Sequence, residues 1–403
     1  MARPLISVFA VEDTAAQVVW RALPGPHVCL SAGDRSTSVT APPPAMLHRR
    51  GTPDRPLARA RRPEFPLFGG PGAAVIEGLE PSTTYDLVVA TPDGQESVAD
   101  RFTTLAPPPG RLLCRFATVN DIHLGEHRFG LLKSIEETHP LPPGLNGYSH
   151  RCVRAALDEA LAWGAEAIVV KGDLTRDAEP VEFREVGALL GALPVPVEVI
   201  LGNHDARDAH YPARRWLAEY GIEVPDQPWA RDLPGIRLVM GHTEVFREKG
   251  GHVSGQQRQQ LAALAAGAPG AAFVAIHHQL HRWRFANIYP PGVPGPEANA
   301  LLDALAAANP RTLVATGHTH RHRRHSHGPL VVAEVGSTKD YPGTWAGYAV
   351  HEGGIRQVIR RVAAPDAIAW TESTATALLG LWGLWSPGPR AERCFSHRWP
   401  AAA

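Results

Sequence analysis

Between residues 111 and 365, short apolar runs alternate with amphipathic ones, and this alternation restricts the segment to an α/β fold. Arg115 to Asn120, Ala167 to Val170, Val197 to Leu201, Ala272 to Ile276 and Leu313 to Thr316 read as buried strands. Between them lie helices. Val153, Ala156, Leu157, Ala160 and Leu161 recur at helical spacing behind a predicted N-cap at Ser149 and stop before Gly164. Val186, Leu189, Leu190 and Leu193 mark a second helix. Ser254 with Gln257 predicts a capping box for a third that ends near Gly267, and a fourth falls within Glu297 to Ala308. A closing hairpin is expected over Gly347 to Val362, turning at Gly353-Gly354.

The first hundred residues have a different pattern. Turn residues separate β-rich runs such as Gln17-Val18-Val19-Trp20 and Tyr85-Asp86-Leu87-Val88-Val89, and no helical period is sustained. The stretch Gly78-Leu79-Glu80-Pro81-Ser82-Thr83-Thr84-Tyr85, followed by a strand and Phe102-Thr103-Thr104, resembles a fibronectin type III domain with its tyrosine corner. Pro42 to Pro71, rich in Pro, Arg and Gly, is expected to be a long irregular insertion. The expected organisation is a β-sandwich over 1–105, a stiff linker over 106–110 (Ala106-Pro107-Pro108-Pro109-Gly110), the α/β domain over 111–365, and a C-terminal aromatic tail over 366–403. That tail, with Trp370, Trp382, Trp385, Phe395 and Trp399, is read as packing on the body, with a lid or dimer contact as the rival reading.

Composition narrows the function classes. Lys+Arg and Asp+Glu are both 40, so no broad basic footprint for a nucleic-acid polymer or an anionic membrane exists. Cys29, Cys114, Cys152 and Cys394 lie far apart, which argues against a disulfide framework or a zinc knuckle. The N-terminal residues lack a sustained apolar core, and the apolar run 377–385 is shorter than the roughly 20 residues a spanning helix needs. A cytoplasmic protein is the expectation.

Five segments carry the chemistry: Asp121-Ile122-His123, Gly172-Asp173, Gly202-Asn203-His204-Asp205, His277-His278 and Gly317-His318-Thr319-His320. Each follows a predicted strand, the edge at which open α/β sheets gather ligands. Carboxylate, imidazole and amide donors without thiolate suit borderline ions such as Mn, Fe, Zn or Co rather than Ca or Mg. A carboxylate such as Asp173 can bridge two ions, and ions about 3.5–4 Å apart can clamp a phosphoryl group.

In this order the five segments resemble the calcineurin-like metallophosphoesterases, over roughly residues 111 to 362. The resemblance implies a two-sheet α/β/β/α sandwich. It further implies that Asp121, His123, Asp173 and His320 hold one metal while Asp173, Asn203, His277 and His318 hold the other. His204 would assist the leaving group as a metal-bridging hydroxide attacks phosphorus. Within the family, Gly202-Asn203-His204-Asp205-Ala206-Arg207 looks most like bacterial class III cyclic-nucleotide phosphodiesterases and glycerophosphodiesterases, which commonly carry an Arg where Arg207 stands. Gln279-Leu280 departs from them, since many have two prolines there. A front sandwich is also similar to the purple acid phosphatases, but Gly172-Asp173-Leu174-Thr175-Arg176 has Arg where those have a Tyr ligand.

The resulting expectation is a dinuclear phosphodiesterase for a small phosphoester substrate. A phosphomonoesterase is the alternative within enzymes, and a metal-free scaffold or binding module the alternative outside them. A homo-oligomer is left open. Arg207 is read as either a substrate contact or a salt bridge, and Asp205 as either orienting His204 or bracing a turn. His278 is expected behind the ligands or in packing, and the run His322, His325 and His327 as a solvated basic loop, with a positive rim as its rival.

Overall fold

The computed structural model describes residues 3–41, 68–130, 133–137, 141, 145–207, 212–281 and 290–400. Seven strands come first: β1 (Ile6–Val11), β2 (Ala15–Trp20), β3 (His27–Ala32), β4 (Arg35–Thr40), β5 (Gly72–Glu77), β6 (Thr84–Ala90) and β7 (Glu96–Thr103). They form two antiparallel sheets, ordered β1-β2-β5 and β4-β3-β6-β7. Inward-facing Val8, Val18, Trp20, Leu30, Leu87, Val89 and Phe102 share one core. The Tyr85 hydroxyl accepts a hydrogen bond from the Glu80 amide at 3.0 Å, which ties the turn before β6 to that strand. Most of the expected insertion, 42–67, lies outside the described residues.

Strand β2 is buried on both faces because the sandwich docks on the rest of the chain. Phe9, Ala10 and Val19 pack against Val358 and Cys394. At the edge of this contact Glu12 takes both Arg356 (3.1 Å) and Arg360, Asp13 pairs with Arg356, and the Gln17 side chain exchanges two hydrogen bonds with the Arg361 backbone. The proline linker is held as well. A Cβ on Gly353 would lie 2.9 Å from Pro109 and one on Gly354 2.9 Å from Pro108, so this glycine pair lets the linker lie flat on the hairpin turn.

The larger body contains β8 (Leu112–Val119), a short hairpin of β9 (Arg128–Phe129) and β10 (Ile135–Glu136), α1 (Tyr148–Ala162), β11 (Ile168–Lys171), α2 (Pro180–Gly191), β12 (Val197–Ile200) and α3 (Pro212–Ala218). It continues with β13 (Trp229–Leu233), β14 (Ile236–Met240), α4 (Gly255–Ala266), β15 (Ala271–Ala275), α5 (Gly295–Ala308), β16 (Thr312–Thr316), β17 (Arg323–His327) and β18 (Leu330–Glu334). Last come β19 (Thr344–His351), β20 (Gly354–Arg361), α6 (Pro365–Thr374), α7 (Leu381–Trp385), α8 (Arg390–Arg393) and β21 (Phe395–Arg398). Two six-stranded sheets result, ordered β12-β11-β8-β19-β20-β21 and β13-β14-β15-β16-β18-β17.

The sheets pack face to face around Phe116, Phe273 and Tyr348, whose ring centroids are 4.8 Å apart pairwise. Helices α1, α2 and α6 contribute to the core outside one sheet, and α4 and α5 to the core outside the other. This is the expected α/β/β/α sandwich with a β-rich region in front. Its central strands are apolar on both faces, as parallel strands covered on both sides must be. Among the described residues no helix is long and apolar enough to cross a membrane.

Three local expectations need correction. Helix α1 begins at Tyr148, so Ser149 lies inside its first turn; the Glu137 carboxylate, from the segment before the helix, accepts the Tyr148 amide (3.0 Å) and caps it. Ser254 does cap α4, but the Gln257 side chain turns to the His242 carbonyl, so the box is half made. The basic run after His320 is not a solvated loop. Arg321 and His322 are buried, and Arg323–His327 pairs with β18, because Arg321 stacks on Trp385 (4.0 Å) and His322 Nδ1 accepts the Gly336 amide (2.9 Å).

In the C-terminal segment, Trp370 stacks on Tyr148 with centroids 3.7 Å apart, and Phe395 lies in β21 beside β20. Breaking the Glu12 cluster should be costly, since Arg356 and Glu12 are both buried. Glu12→Ala leaves two arginines without their shared partner, and we expect a loss of about 3–5 kcal/mol in urea unfolding. A loss below about 1 kcal/mol, the worth of an exposed pair, would mean the docking does not depend on it.

Candidate metal centre

The carboxyl ends of β8, β11, β12, β15 and β16 meet at one edge of the two sheets and bring all five predicted segments together. The backbone there is unusual. Asp121 (φ 51°), His123 (φ 43°), Asp173 (φ 50°), His318 (φ 67°) and His320 (φ 54°) all occupy the left-handed region. For residues with a Cβ that conformation costs of order 1–3 kcal/mol each. Five such residues at one locus mark a place where packing has been subordinated to aiming side chains. Glycines clear the space between them: a Cβ on Gly202 would lie 2.3 Å from Asp173 Oδ1, and one on Gly317 2.8 Å from Asp121 Oδ2.

Asp173 sits in the middle. Its Oδ2 is 3.4 Å from His123 Nε2, and its Oδ1 is 3.4 Å from His277 Nε2. The His204 amide donates to Oδ1 at 2.9 Å. On one flank His320 Nε2 lies 3.5 Å from Asp121 Oδ1, while the His318 amide donates to both Asp121 oxygens. On the other, His318 Nδ1 is 3.2 Å from His277 Nε2. Four overlapping groups of donor atoms, each within 4.8 Å of one another, follow: Asp121/His123/His320, Asp121/Asp173/His277, His123/Asp173/His204 and His277/His278/His318.

These donors fit metal ions. His123 Nε2 and Asn203 Oδ1 are buried with no hydrogen-bond partner, a costly condition unless something else satisfies them. Nitrogen and oxygen donors converge without thiolate, as a borderline divalent ion requires.

Electrostatics bind the cluster together. Burial alone would depress the His277 imidazole, but the Asp173 carboxylate outweighs it and holds His277 up at about 9. Burial would likewise raise Asp173, yet His277, His204 and His123 hold it well below the usual carboxylate range. Burial and the neighbouring His277 push His318 down to about 3. Burial lowers Lys171, behind the centre, to about 7; its Nζ donates to the Thr316 carbonyl at 2.6 Å.

The neighbouring residues take distinct places. His204 Nδ1 is 2.7 Å from the Arg176 carbonyl, which requires a hydrogen on Nδ1 and leaves Nε2 as the free ring nitrogen. Arg207 also approaches Nδ1 at 2.9 Å, but a guanidinium cannot accept that hydrogen, so its bond is the ion pair to Asp177. The hydrogen bonds of the Asp205 carboxylate go to other residues than His204. It accepts the amides of Leu174, Thr175 and Gly202 and so braces two ligand loops against each other. His278 is buried, with Nδ1 2.8 Å from Thr243 Oγ1. Two further residues carry no motif in the sequence: Asp340, which lies against His320, and Asn120, whose amide donates to Asp121 and to the carbonyls of Val335 and Gly336.

A family model for calcineurin-like phosphoesterases matches residues 114–322, which span the five segments and the strands that carry them. The chain belongs to that family. No curated protein sequence matches it significantly. Among solved structures it is similar to PhoD (10% identity, 88% of this chain and 86% of that one, TM-score 0.42) and to a purple acid phosphatase from yellow lupin seeds (13%, 90% and 73%, 0.45). It is also similar to GAP50, described as the anchor in the inner membrane complex of Plasmodium (12%, 64% and 87%, 0.41). Likeness at this level carries no argument about chemistry.

The charge state of His277 predicts how this calcineurin-like centre takes up metal. An imidazole held near 9 is protonated at pH 7, and its Nε2 must lose that proton before it can ligate. Metal binding at pH 7 should therefore release a proton, and affinity should rise with pH until about 9. Calorimetric titration in two buffers of different ionisation enthalpy checks this; a heat independent of buffer would contradict it.

Proposed function

We propose that this member of the family is a dinuclear metal-dependent phosphodiesterase acting on a small diester of the cyclic-nucleotide or glycerophosphodiester type. The observation that carries the reading is Asp173, with one oxygen toward His123 and the other toward His277. Asp121, His123, Asp173 and His320 would hold one ion, and Asp173, Asn203, His277 and His318 the other. Bound there, Mn, Fe, Zn or Co ions would supply Lewis acidity to phosphoryl oxygens and acidify water. The unsatisfied His123 Nε2 and Asn203 Oδ1 count against a metal-free scaffold.

His204 is the residue placed to move a proton. Its Nδ1 hydrogen is committed to the Arg176 carbonyl, so a proton given to the departing alkoxide would first have to be taken up on Nε2. The His204 ring stands 4.5 Å from that of His123, at the open side of the cluster. Arg207, paired with Asp177 beside this ring, would give the substrate a nearby cation largely neutralised by its partner. Lys339 is similarly spent on Glu126. With Arg207 and Lys339 each paired to a carboxylate, these two cations suit a diester monoanion better than a monoester dianion, which favours the phosphodiesterase over the phosphomonoesterase alternative.

Arg176 in place of the purple-phosphatase tyrosine supports a centre without phenolate colour. The paired front sheets and the Glu80–Tyr85 bond support a fibronectin type III-like sandwich, and four free cysteines support a cytoplasmic setting. The expected partner is the small phosphoester alone, with self-association decided by sedimentation.

A panel of cyclic nucleotides, glycerophosphodiesters and an aryl monoester, run with each of the four metals, tests the reading. Diester turnover should exceed monoester turnover. His204→Ala should lower kcat about 10²–10⁴-fold for alkoxide leaving groups and much less for an activated phenolate. Monoester preference would select the alternative, and unchanged kcat in His204→Ala would remove its assigned role.

A further inference from the structure

We propose that Asp340 is a positioning residue for the metal position built on Asp121, His123 and His320, and that it makes this position the tighter of the two. The inference rests on the metal-centre reading above but not on the identity of the substrate. Asp340 is completely buried, and its Oδ2 lies 2.6 Å from His320 Nδ1. A carboxylate can only accept, so Nδ1 carries the hydrogen and the Nε2 lone pair is left facing Asp121 Oδ1, 3.5 Å away. His320 is also one of the residues with a left-handed backbone, so its direction needs a fixed outer partner.

Asp340 is itself held. Lys339 Nζ lies 3.5 Å from the same Oδ2 and is bonded to Glu126, and both Lys339 and Asp340 are buried. The Lys339 carbonyl accepts Trp370 Nε1 at 2.9 Å, and Trp370 stacks on Tyr148 of α1. The orientation of one metal-facing ring is thus anchored through α6 to α1.

Among the described residues the second position has nothing equivalent. His277 Nδ1 faces the neutral Lys171 carbonyl at 2.8 Å, and His318 Nε2 the Pro291 carbonyl at 3.1 Å. Among the described residues no carboxylate outside the cluster lies against either ring. An anionic acceptor behind a histidine raises its basicity as a ligand more than a carbonyl does, and losing such a partner typically costs 10–100-fold in metal affinity. The asymmetry predicts unequal ions, one retained and one readily exchanged.

Asp340→Asn keeps the shape and the acceptor and removes the charge. In competition titrations of zinc against a chromophoric chelator, the tighter of two dissociation constants should weaken about 10–100-fold while the weaker stays close to its original value. Two unchanged constants, or equal weakening of both, would overturn the proposal. Should this variant not fold, nitrogen-15 spectra of the zinc-loaded unmodified protein decide instead. They should show His320 with hydrogen on Nδ1 and zinc on Nε2, and the reverse arrangement would overturn it. Neither readout involves turnover, so a failure of diester hydrolysis and a failure of this proposal are distinguishable.

Discussion

The Asp173 carboxylate holds the two halves of the centre in one arrangement, and much of the surrounding structure is explained by what that requires. A fully buried carboxylate needs compensating partners, and it has His123 on one oxygen and His277 on the other. To aim both oxygens this way the chain turns left-handed at Asp173, directly after Gly172, and packs Gly202 against it with no room for a side chain. Asp205 then ties the Gly202 loop to the Leu174–Thr175 loop through three backbone amides, so that the strained turn cannot relax independently.

The cost of five left-handed residues is offset away from the centre. The aromatic contact of Phe116, Phe273 and Tyr348 locks the two sheets face to face and fixes the edge from which the ligand loops spring. The front sandwich adds burial on the far side of β20, and the C-terminal segment adds β21 to the same sheet. Neither contributes any of the proposed ligands. Their contribution is to the stiffness of the frame that keeps those side chains aimed.

The strands and the ligand segments were legible in the sequence because their signals are local: apolar runs of strand length, each followed by a ligating residue. What depends on distant partners was not. Glu137, from the end of the β10 hairpin rather than from the residue next to the helix, takes the Tyr148 amide, so Ser149 is inside α1 and not its cap. The run from Arg321 to His327 looked solvated because composition does not reveal that β18 pairs with it or that Trp385 covers Arg321. Asp340 carries no motif, and only the turn after β18 brings it to His320. Arg207 and Asp205 were each ambiguous in sequence; the fold places the first in an ion pair beside His204 and the second under the ligand loops.

If Asp173 is shared, it couples the two metal positions. Elemental analysis of metal-loaded protein, comparing the unmodified chain with Asn203→Ala and Asp173→Asn, tests it most directly. Two ions are expected per unmodified chain, one in Asn203→Ala, and loss from both positions in Asp173→Asn with the fold intact by circular dichroism. Retention of two ions by Asp173→Asn, or one ion at most in the unmodified chain, would contradict it.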